Sequence, residues 1–153
     1  MRVKYGQTGI TAVLIVAAAL APEAQAPATV AERVRTAMLA HESGWHLDDS
    51  AVENHRFWHE WKKRSERISI EYTEHPSDAD ASAWLQALPG KLAMSGEKPL
   101  TGVGEEALIW TGLSTSGATT IRFRKARHIA AVTAPSKRIA TRIANLVAKQ
   151  IYE

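Results

Sequence analysis

Apolar and polar residues alternate most cleanly where Ile68, Ile70 and Tyr72 are interleaved with Arg67, Ser69 and Glu71, the period of a half-buried strand. A polar break at Lys62 to Ser65 joins this strand to one before it, from about His55 to Trp61, as a hairpin. Three further strands are predicted over Ala107 to Thr111, Thr119 to Arg124 and Arg127 to Thr133. Their connections, Ser114 to Gly117 and Lys125-Ala126, are short enough for an antiparallel meander.

The helical period takes over elsewhere. Val30, Val34, Ala37 and Met38 share one face of a helix from Thr29 to Ser43, with Thr29 and Glu32 spaced as a capping box and Gly44 at its end. Ala81, Trp84, Leu85 and Leu88 form the stripe of a second helix, opened by Ser77 and stopped by Pro89-Gly90. Ile139, Ile143, Leu146, Val147 and Ile151 line one side of a last helix that Pro135 and Ser136 begin. Residues 45–65 carry mixed signals, since Ser50 and Glu53 have capping-box spacing and Trp58 and Trp61 would share a helical face. Residues 95–104, with three glycines and a proline, read as a loop. The predicted order is α-β-β-α-β-β-β-α, an α+β domain with an antiparallel sheet of about five strands and its helices packed on one face.

The N-terminus has a different pattern. Arg2 and Lys4 precede an apolar run from Ile10 to Ala21, and Ala24, Gln25 and Ala26 follow it, the three parts of an export signal in order. Pro22 and Glu23 end the run well short of the roughly 20 residues a membrane-spanning helix needs. The alternative is an uncleaved N-terminal anchor. Cleavage after Ala26 would place Pro27 at the cut, which hinders a peptidase, and a cut after Ala28 is the workable neighbour. Residues 1–26 are therefore expected to be a cleavable signal peptide, residues 27–153 a single domain, and the protein periplasmic or secreted, with no transmembrane segment once the signal is gone.

The chain has no cysteine. Disulfides, thiol catalysis, thiolate metal sites and a lipid-modified N-terminal cysteine are thus excluded, and the domain must rely on its own core. Of 19 basic and 16 acidic side chains, removal of Arg2, Lys4 and Glu23 leaves 17 and 15. A charge of +2 suits an anionic envelope component or an envelope protein as partner; export makes nucleic acid an improbable one.

Candidate chemistry is sparse. His55 and His59 fall on one face in either secondary structure, but two ligands do not make a zinc site, and His41-Glu42 lacks the H-E-x-x-H spacing. No metal or other cofactor is expected. Ser95-Gly96-Glu97-Lys98 matches S-x-x-K without its partner motifs, and Gly112-Leu113-Ser114 fails the nucleophile elbow because Ser116 replaces the second glycine. Gly102-Val103-Gly104 is followed by Glu105 and Glu106, which would repel a phosphate, so a turn is the stronger reading. Core packing is the expected fate of Trp84. Trp58 and Trp61 on a strand would point to opposite faces, which leaves room for an aromatic binding surface.

Arg122, Arg124, Lys125 and Arg127 cluster around one hairpin, with Arg122 and Arg124 opposite Ile121 and Phe123 on a face expected to be solvated. These four are the candidate ligand or partner site. The run Gly102-Val103-Gly104-Glu105-Glu106-Ala107 enters a strand and is followed by this basic hairpin and a last amphipathic helix. Over that last third, the chain resembles small exported bacterial domains of unknown function, some of them lipoproteins with PsbP-like or sensor-like α/β folds. The resemblance implies a non-catalytic envelope module and supplies no catalytic residue; the missing cysteine departs from the lipoprotein members. The expected function is an exported, non-catalytic domain that binds a partner or anionic ligand. The alternatives are a small hydrolase using His59 with Glu60, although strand neighbours point apart, and a structural or assembly protein. The oligomeric state is left open.

Overall fold

The computed structural model describes residues 28–92, 96–112 and 117–152. The expected export signal, Ser95 of the S-x-x-K match, and Leu113, Ser114 and Ser116 of the failed elbow lie outside the described residues. The elements are α1 (Val30–His41), β1 (His46–Glu53), β2 (Arg56–Lys63), β3 (Glu66–Glu74), α2 (Asp78–Leu92), β4 (Lys98–Pro99), β5 (Glu106–Thr111), β6 (Thr119–Lys125), β7 (His128–Ala134) and α3 (Lys137–Gln150).

The protein is α+β, but its sheet has seven strands where about five were expected. The order is β1-β2-β3-β7-β6-β5-β4, and every neighbouring pair is antiparallel. Two meanders, β1-β2-β3 and β4-β5-β6-β7, meet where β3 pairs with β7, from Ser69 opposite Thr133 to Glu74 opposite His128. Both extra strands are edges. β1 occupies the Ser50 and Glu53 segment that resembled a helix start. Every β1 residue is exposed except partly buried Leu47, so no alternating apolar face marks it. β4 is two residues long.

The Thr29 capping box is present, with the Glu32 N–H donating to Thr29 Oγ1 and the Thr29 N–H to Glu32 Oε2 at 2.7 Å. α2 runs to Leu92, past the Pro89-Gly90 pair expected to stop it. Proline disfavours a helix interior by about 3 kcal/mol, through a lost hydrogen bond and crowding of the preceding turn, yet the helix continues three residues beyond Pro89. The hairpins β1–β2, β2–β3 and β6–β7 each turn through two residues, and Arg64 and Ala126 take positive φ there, as tight hairpin turns require. Gly104 has φ +59, and a Cβ on it would strike the Arg124 carbonyl. The turn instead drives Val103 into the core, where it is 2% exposed, and gives Gly102-Val103-Gly104 the structural role read from its acidic neighbours.

The helices do not share one face. α1 and α3 cover the side that carries Phe57, Trp61, Ile68, Ile70, Ile121, Phe123, Ala130 and Val132. On the opposite side, Ala81 and Leu85 of α2 pack with Ile129 and Leu108. β7 is buried almost throughout because it is sandwiched. Alanines 140, 144 and 148 of α3 meet Ala130 and Ala134 of β7 within the main core, which lets helix and sheet approach closely. Among the described residues no helix is long and apolar enough to cross a membrane.

Glu42 ties the two helices of the main layer together. It follows α1, its side chain is 7% exposed, and Arg142 of α3 grips it with both prongs, Nε to Oε1 at 2.8 Å and the terminal nitrogen to Oε2 at 2.6 Å. A bidentate pair of this kind is stronger than a neutral hydrogen bond. Arg142→Ala strands a buried carboxylate, whereas Glu42→Gln leaves a half-exposed guanidinium that water can reach. The expected result in chemical unfolding is a loss of about 1–3 kcal/mol for Arg142→Ala and a smaller loss for Glu42→Gln.

Candidate functional site

At one end of the sheet, the first turn of α1, the β1–β2 turn, the end of β3, the start of β7 and Tyr152 after α3 enclose a cleft of about 680 Å³. Its floor is aromatic because three strands place rings on the same face in neighbouring positions. Phe57 stands opposite Tyr72 in the register and stacks on it with centroids 4.9 Å apart. The Tyr72 and His128 rings stack at 5.7 Å, and their Oη and Nδ1 lie 2.7 Å apart. Burial, followed by the charge of Glu74, raises the Tyr72 phenol to about 12 against the lowering effect of Arg33 and Arg127. The phenol is therefore neutral at physiological pH and a poor base or nucleophile.

The rim is charged. Arg127 pairs with Glu74 at 2.8 Å and Arg56 with Glu53 at 2.5 Å, and the Arg56 hydrogen bond and charge hold Glu53 below the usual carboxylate range. Arg33 differs from both. Its guanidinium donates to the carbonyls of Gln150, at 2.9 Å, and Ala28, and lies 4.1 Å over the Tyr152 ring. It forms no ion pair with any described carboxylate. The arrangement can hold a negatively charged group at the mouth of an apolar pocket.

Of the four basic residues expected to form a site, only Arg127 lines this cleft. Arg124 pairs with Glu105 at 2.6 Å and Glu106 at 2.9 Å, and Lys125 donates to the Ala148 carbonyl at 2.8 Å. Arg122 lies on the face expected to be solvated, yet α2 packs over that side and the guanidinium sits between the rings of Trp84 and Trp110, 5.4 and 5.5 Å from their centroids. One of its terminal nitrogens is buried without a hydrogen-bond partner, and desolvation depresses its pKa against the opposing charges of Glu71 and Glu97. Trp84, expected in the core, is 38% exposed because it caps this cation instead. The hairpin residues are thus dispersed over two faces and one helix end.

Trp58 and Trp61 point to opposite faces of β2, as strand geometry requires. Trp61 is fully buried, and partly buried Trp58 donates to Ser69 Oγ at 3.1 Å. His59 and Glu60 likewise diverge, His59 into the core at 2% exposure and Glu60 toward Arg67 on the other face. His55 lies exposed in the β1–β2 turn, 3.5 Å from Glu74, whereas His59 is buried. Among the described residues no three metal-ligating side chains come together. Arg33 and Tyr72, the residues that give the cleft its character, were not candidates in the sequence. Its only available signal was their placement at the ends of elements that the fold brings together. Comparison with protein-family models, with curated proteins and with solved structures finds no match to this chain.

The buried His59 has a pH consequence. Burial, and then the charge of Arg35, lowers its pKa below the ordinary 6.5, and its Nδ1 is buried without a hydrogen-bond partner. On acidification the unfolded chain takes up the proton first, so His59's contribution to stability is full above about pH 6.5 and is lost as pH falls toward the folded value. Thermal or urea unfolding between pH 8 and 5 is expected to show this loss, and His59→Leu to flatten it. An unchanged slope in the variant would assign the acid sensitivity to other groups.

Proposed function

We propose that this chain is an exported domain that binds an anionic ligand or partner without transforming it, and that the end cleft is its seat. The observation that carries the reading is Arg33, a cation at the mouth of an apolar, ring-floored cleft that is oriented by backbone carbonyls and offset by no described carboxylate. Arg127 and Arg56 extend the cationic rim, so Arg127 is the member of the basic hairpin retained in the site. Binding is favoured over turnover because the Tyr72 phenol is held neutral and already faces His128. His59 and Glu60, the pair a small hydrolase would need, point to opposite sides of β2. Export rests on the charge, length and small-residue order of the first 26 residues.

The full chain, expressed in a bacterial host, is expected in the periplasm with an intact mass matching a cut after Ala26 or Ala28. An unprocessed, membrane-held chain would remove export from the proposal.

The processed domain, titrated with benzoate and with inorganic phosphate, is expected to show saturable amide and Arg33 Nε–H shifts around Phe57, Tyr72 and Arg127. Benzoate, with both an anion and a ring, should bind more tightly than phosphate. Arg33→Gln is expected to weaken benzoate about tenfold or more, the loss of one charge-assisted contact of about 1.5–3 kcal/mol. Equal binding by the variant, or no saturable shift with either anion, would remove the cleft as the site.

A further inference from the structure

The two edges of the sheet are guarded very differently. The β4 edge consists of Lys98 and Pro99 alone, so it is short and carries both a lysine and a residue that cannot donate. The β1 edge is eight residues long, contains no lysine, arginine or proline, and is exposed at every position except Leu47. Its one irregularity lies between Leu47 and Asp49, at the end away from the cleft. From Asp49 opposite Glu60 to Glu53 opposite Arg56, the register with β2 is unbroken. Within this stretch the Ser50 N–H already donates to Asp49 Oδ1 at 2.8 Å; the other backbone groups on the outer side have no partner among the described residues, and the stretch ends at Val52 and Glu53, which line the cleft.

We infer that the β1 edge receives an extended peptide as an eighth strand, with an acidic side chain at the cleft end and basic side chains along the remainder. The inference rests on the reading of the cleft as an anion seat. Main-chain hydrogen bonds to an open edge supply affinity in this mode of recognition, while alternate side chains supply specificity. Charge selects the occupant. Of the acidic side chains on the edge, Asp48 pairs with Arg67 at 3.3 Å and Glu53 with Arg56 at 2.5 Å, whereas Asp49 has, among the described residues, the adjacent Ser50 N–H as its one partner and is the carboxylate open to a basic strand. A second copy of the chain would bring like charges together across the new ladder, at an energetic cost. A basic strand would be attracted, and an acidic residue at its end would reach the rim formed by Arg33, Arg56 and Arg127. Antiparallel addition continues the pattern of the whole sheet and puts the N-terminal end of the peptide at the cleft.

The probe is an N-acetylated hexapeptide, Glu-Val-Lys-Val-Lys-Val, compared with two versions N-methylated at alternate residues, one in each phase, and with one in which the glutamate is exchanged for glutamine. The protein is the processed domain, observed by amide shifts and by fluorescence anisotropy. The expected result is saturable binding with shifts and slowed amide exchange from Asp49 to Val52, at least tenfold weaker after N-methylation in one of the two alternating phases. The glutamine version should bind more weakly to the native domain and no differently from the parent peptide to Arg33→Gln. Equal binding by both N-methylated phases, or no change along β1 at millimolar peptide, would overturn strand addition. If benzoate still binds through Arg33 in that case, the anion seat stands and only the peptide proposal fails. Strand addition that ignores both the glutamate and Arg33 would instead remove the anion seat from the peptide's recognition. Concentration-dependent dimerisation of the domain alone, with protection of the same β1 amides, would assign the edge to a second copy and overturn the proposal.

Discussion

The pairing of β3 with β7 is the contact on which the rest of the molecule depends. Each meander can form from neighbouring segments, but neither has a complete core until Ile70 lies beside Val132 and Tyr72 beside Ala130. Closing a long loop costs entropy that grows slowly with length, and the apolar surface buried at this seam opposes that cost. The same ladder has a functional product. It brings Glu74 beside His128, so that Tyr72 can meet His128 and Glu74 can meet Arg127. The floor and part of the rim of the cleft therefore exist only when the two halves of the sheet are joined.

That dependence explains which parts of the fold were legible in the sequence. α1 announced itself through Thr29 and Glu32, β3 through strict alternation, and α3 through its aliphatic stripe, because each has one buried face and one wet face. β1 has almost no buried face, so its residues carry turn and cap signals in place of a strand period. The placement of helices on both sides was available in principle. β7 is apolar at nearly every position from His128 to Ala134, the mark of a strand covered on both faces, and β5 sets Leu108 and Trp110 opposite Ala107 and Ile109. Reading the sheet as half-solvated put Arg122 in water, whereas α2 and two tryptophans close over it.

The site was less legible than the fold for a related reason. Four basic residues adjacent in sequence suggest a patch, but strand alternation sends Arg122 and Arg124 to one face and Lys125 to the other. Local partners then absorb the charges, with Glu105 and Glu106 holding Arg124 and the C-terminal carbonyls of α3 holding Lys125. Arg33, by contrast, reads in sequence as an ordinary polar position on the first helix. It becomes distinctive only when α1 and α3 pack with the start of one near the end of the other, which sets its guanidinium against Gln150 and Tyr152.

The charge at the cleft mouth can be followed one contribution at a time. The start of α1 presents a partial positive charge and the end of α3 a partial negative one, each about half a unit and of opposite sign. The Glu32 capping contact moderates the first, and the Arg33 and Lys125 hydrogen bonds to α3 carbonyls moderate the second. Backbone dipoles thus largely offset one another, and the side chains decide the balance. Among the described lining residues, Arg33, Arg56 and Arg127 face Glu53 and Glu74, three cationic side chains against two anionic ones. A guanidinium with no ion pair among the described residues, held over the Tyr152 ring in a cleft floored by stacked rings, suits a single carboxylate carried on an apolar body better than a multiply charged polyanion. Phe57 and Tyr72 supply the apolar contact, and Arg33 supplies the charge.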